Sequence, residues 1–187
     1  MTDVLNTPPA ASAAPRLHQV NASYDPVEDR IRFATTTSVG QEFRFWITRR
    51  YLGLLWQALN HITAQFAQQR APDDPLLRSA LSGFAEAKAM NNADMATPYA
   101  DGTDFPLGEE PLLLSNITIS PGPSGQQYLR LTPERGQGID LALNEELTHV
   151  IANLLLQAAV AAQWGLELDS AQTPSGLSGT AVPHRLH

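Results

Sequence analysis

The chain has 187 residues, with 12 Lys+Arg against 19 Asp+Glu, a formal charge of −7 and 43% hydrophobic residues. That apolar content excludes a chain disordered throughout, and the length fits one ordinary domain or two very small ones. The absence of cysteine excludes disulfides, thiolate metal sites and a cysteine nucleophile.

Residues 1–16 are rich in Pro, Ala, Ser and Thr and lack periodicity, which predicts a flexible N-terminal tail. They hold neither the basic nor the apolar region of a signal peptide, and no run approaches the roughly 18 apolar residues of a membrane span. Val20, Ala22 and Tyr24 then alternate with polar residues as a half-buried strand does. A turn at Asp25–Asp29 leads to a second strand around Ile31 and Phe33, and a turn at Val39–Gln41 to a third with Phe43, Phe45 and Ile47. Thr48 is placed to cap a helix carrying Leu52, Leu55, Leu59, Ile62 and Phe66.

Asp74 is placed to cap a middle helix containing Leu76, Leu77, Ala80, Leu81 and Phe84 and reaching about Met95, with Pro98 as a stop. Residues 99–110, rich in Gly, Pro and acids, read as loop. Ile117 and Ile119, then 128–131, then Ile139, Leu141 and Leu143 read as three further strands. Asn144 is the expected cap of a last helix with Leu147, Ile151, Leu154 and Leu155, and Glu145 and Glu146 suit the positive end of its dipole. Residues 169–187 read as a second flexible tail.

The sequence thus describes an α+β protein of two β-β-β-α units with antiparallel meander sheets on two long helices, plus a middle helix. Unit one covers 17–70, the middle helix and loop 73–111, and unit two 112–168, in one domain. Phe43, Phe45, Ile47 and Thr48 match Ile139, Leu141, Leu143 and Asn144 in pattern, which predicts an internal duplication. Both long helices carry more apolar surface than one stripe. Trp56, Leu156 and Val160 need cover from the other helices or from a homodimer partner.

Strand parity places Arg30, Arg32, Arg44 and Trp46 on one sheet face, with Arg49 and Arg50 following at the helix start. Arginine and tryptophan are favoured anchors in protein interfaces, and the same pair of chemistries suits single-stranded nucleic acid. The alternative is a solvated face with the arginines paired to Glu28, Asp29 or Glu42. Residues 1–70 hold seven basic and five acidic side chains, whereas residues 71–187 hold five and fourteen. An acidic whole with so short a basic patch makes nucleic acid the poorer partner.

The five histidines make no HxH or HExxH spacing, and Asp101-Gly102-Thr103-Asp104 lacks the full pattern of a calcium loop, so no metal is expected. No GxSxG, P-loop or GxGxxG occurs, and no other cofactor is expected. The segments SYDPVEDRIRF, EFRFWITRRYLGLLWQAL and LNEELTHVIANLLLQA resemble a group of short uncharacterised proteobacterial proteins of unknown function. The resemblance implies a bacterial, cytoplasmic setting and no particular activity. The expectation is a non-enzymatic protein-binding, adaptor or self-associating module. The alternatives are single-stranded nucleic-acid binding through the Arg/Trp face and a small enzyme with dispersed site residues.

Overall fold

The structure, a computed structural model, describes residues 15–94, 96–166 and 168. The elements run β1 (Leu17–Asp25), β2 (Arg30–Thr37), β3 (Glu42–Ile47), α1 (Arg49–Arg70), α2 (Pro75–Asn92), β4 (Leu112–Pro121), β5 (Gln127–Pro133), β6 (Ile139–Leu143) and α3 (Glu145–Ala161). The tail expected at 169–187 lies outside the described residues, as does that at 1–16 apart from Pro15 and Arg16. Arg16 is held: Ser38 N donates to its carbonyl at 2.8 Å, and its own N–H donates to Ser38 Oγ at 3.3 Å.

Both strand-to-helix junctions follow from their caps. Thr48 Oγ1 accepts from Tyr51 N at 3.2 Å, and Asn144 Oδ1 accepts from Leu147 N at 2.8 Å. Each bond satisfies an amide that the first helical turn leaves without a partner. Asp74 does the same for Leu77 N at 3.0 Å. The middle helix stops at Asn92, short of the expected end near Met95. Asp94 Oδ1 instead accepts from Ala96 N and Thr97 N, which turns the chain ahead of Pro98.

The two expected meanders are not separate sheets. They join in one six-stranded sheet of order β1-β2-β3-β4-β5-β6. Every neighbouring pair is antiparallel except β3 and β4, which run parallel over Phe45↔Leu112 and Trp46↔Leu113. In β4 the register shifts between Leu114 and Asn116. The extra residue keeps Leu114, Ile117 and Ile119 on the same face despite their odd spacing.

One face of the sheet carries the core. Phe33, Phe45, Leu131 and Leu143 from the strands meet Leu52, Leu55, Leu59 and Ile62 of α1 and Ile151 and Leu155 of α3, all at most 1% exposed. The helices cross over between units: α3 lies against β1 and β2, and α1 against β4. Tyr51 Oη of α1 donates to Asn116 O of β4 at 3.0 Å. The expected domain is therefore built around a single core to which both units contribute. Trp56 is 7% exposed and so covered within the chain, whereas Val160 stays 69% exposed. Among the described residues no helix is long and apolar enough to cross a membrane.

Candidate interaction surfaces

The Arg/Trp face is a real face, but it looks inward. Register pairs Arg32 with Trp46, Ala34 with Arg44 and Thr36 with Glu42, so these side chains share the side of the sheet opposite the core. The segment after α2 passes the β1 edge, where Gln19 Oε1 accepts from Ala100 N at 3.0 Å, and continues to β3, where Glu42 N donates to Asp104 O at 2.8 Å. Residues 98–110 thus strap the face on which the arginines sit.

Glu42 is the centre of this layer. It is 0% exposed and accepts from Arg44 Nε at 2.8 Å, Arg44 Nη2 at 3.0 Å, Gly102 N at 2.7 Å and Arg32 Nη2 at 3.5 Å. Burial pushes its carboxyl up, but the Arg44 hydrogen bonds, the Gly102 amide and the charges of Arg44 and Arg32 outweigh burial and hold it below the usual carboxylate range. Arg44 also donates to Glu109 O at 3.3 Å and lies 4.4 Å above the Phe105 ring. Its five donors are thereby largely used inside the molecule. A Cβ on Gly102 would stand 2.6 Å from Glu42 Cβ, so only glycine lets the strap come this close.

The remaining predicted site residues are dispersed. Arg30 pairs with Glu28 at 3.5 Å at the sheet margin. Trp46 is half-buried, in register with Arg32 and Leu113. Arg49 and Arg50 are exposed at the start of α1, and the charge of Arg49 helps lower Asp29, after the hydrogen bonds that Asp29 accepts from Trp164 and Tyr24. The arginines of β2 and β3 therefore pair with Glu28, Glu42 and Asp101; Glu28 and Glu42 are the partners named above for a solvated face, but the strap covers this one. A single-stranded DNA of about 20 nucleotides at micromolar protein is accordingly expected to show no binding in fluorescence anisotropy at physiological salt. Salt-sensitive micromolar binding would contradict the pairing described here.

A cluster of exposed apolar side chains on α2 was not foreseen from the sequence. In α2 the buried side chains are the small ones, Ser82, Ala85 and Ala89. Leu76, Leu77 and Phe84 face outward at 83%, 47% and 70% exposure. Periodicity alone would turn the leucines and Phe84 toward the core. The small face turns inward where α2 packs on α1 and α3, because small side chains let the helices lie close together.

His61 is exposed, with Nε2 2.9 Å from Gln65 Nε2. His149 is buried beside a cavity of about 180 Å³ between α1, α2 and α3. Burial lowers its pKa, the charge of Glu86 opposes that and the charge of Arg70 adds to it. No cluster among the described residues could hold a metal ion. No family model, curated protein or solved structure matches the chain.

Proposed function

We propose that this chain is a protein-binding module that works through the outer face of α2. The observation that carries the reading is the inversion of that helix: its small residues are buried while Leu76, Leu77 and Phe84 are exposed. Large apolar side chains clustered on one exposed helix face mark a docking surface, because water contact with them is unfavourable and a protein partner removes it. The face also offers an aromatic anchor of the kind that dominates interface energetics.

The Arg/Trp sheet face is the weaker site for a partner. Glu42 and Asp101 already balance the charges of Arg32 and Arg44, and the 98–110 strap would have to leave first. The resemblance to short proteobacterial proteins accords with a bacterial cytoplasmic adaptor and adds no activity.

The test is a pull-down on tagged chain from a bacterial lysate, scored against Phe84→Glu, with co-expressed untagged chain counted among the preys. Phe84 is exposed, so the variant should fold. Capture that the variant loses supports the reading. Identical capture by both proteins would refute it.

A further inference from the structure

We infer that the occupant of the α2 face is a second copy of the chain, packed antiparallel about a two-fold axis at Ala80; the inference rests on the docking role proposed for this face. Leu76, Ala80, Phe84 and Lys88 are spaced by four and all exposed, so they form one continuous ridge along the helix. An axis through Ala80 sets Leu76 opposite the partner's Phe84 and Phe84 opposite the partner's Leu76. The small residue at the centre lets the two helices approach to about 8 Å, and interlocked ridges of this kind cross at about 50°.

Charge follows the same symmetry. Asp73 and Asp74 precede the helix, and Lys88, the only lysine in the chain, lies near its far end. Helical side chains lean toward their own N-terminus, so in the antiparallel pair Lys88 leans over the partner's Asp73 and Asp74. A two-fold interface requires a surface complementary to itself, and this ridge meets that requirement in both shape and charge. An unrelated partner would need neither property about one point.

The chain has no cysteine, so a single introduced thiol reports the register directly. Ala80→Cys is expected to oxidise to a covalent dimer about tenfold faster than Ala87→Cys, because only a residue on the axis meets its own copy. Ala80→Cys that stays monomeric, or that cross-links no faster than Ala87→Cys, would overturn the inference. Circular dichroism of each exposed-site variant confirms the fold in which it is read. If the lysate experiment still shows Phe84-dependent capture of another protein, the self-pairing alone fails and the docking role of the face stands.

Discussion

Phe45→Ala is expected to lower the unfolding free energy by about 3–5 kcal/mol in urea titration, the cost of losing a large ring and leaving a void. Phe45 is fully buried and stands at the seam of the molecule. It faces Phe33 on β2 and Leu112 on β4, the parallel contact that joins the two meanders. Removing the ring therefore loosens both units at once, and unfolding should stay a single transition at a lower midpoint. A loss under about 1 kcal/mol, or two separate transitions, would show that the meanders stand independently.

The second large effect is Arg44→Ala, which leaves Glu42 buried without its main partner. Such a loss costs about 3–5 kcal/mol at neutral pH. The pH dependence should also weaken. In the native chain Glu42 lies below its ordinary value, so it contributes stability above the unfolded carboxylate pKa of about 4.3, lost as pH falls through the folded value. Without Arg44, burial is opposed only by the Gly102 amide and the charge of Arg32, so the folded value rises. The ionised carboxyl then contributes less stability in the variant, and its deficit against the native chain should shrink toward pH 4. A deficit that stays constant from pH 4 to pH 7 would show that the guanidinium acts only as packing. Glu42→Gln combined with Arg44→Ala should recover part of the loss, because the uncompensated charge is gone.

Much of the architecture was legible in local chemistry. Thr48 and Asn144 announce helix starts because a short polar side chain after an alternating strand has one obvious use, and both are caps in the structure. The six strands were legible because each alternates with a period of two. The β3–β4 junction was not. It rests on two residue pairs between segments far apart in the chain, and no local pattern records such a pairing. The β-β-β-α order recurs as expected, yet each long helix also packs on strands of the other unit, which pattern matching within a unit cannot show.

The candidate site was half legible. Strand parity put Arg32, Arg44 and Trp46 on one face correctly, and Glu42 shares that parity. What parity does not tell is that residues 98–110 cross the same face, because loop paths carry no periodic signal. The glycine at 102 is the nearest trace of it, required where the strap touches Glu42. The orientation of α2 was illegible for a related reason. One of its faces is small and the other large and apolar, and only the closeness of α1 and α3 decides which turns inward.

The most direct test of the account is sedimentation velocity at micromolar concentration on the full chain and on Phe84→Glu. Pairing through α2 predicts a native species of about twice 20.3 kDa and a variant at the single-chain mass, since a charge within an apolar contact abolishes it. A native chain that sediments as a monomer would contradict the α2 pairing, and so would a dimer that Phe84→Glu leaves intact.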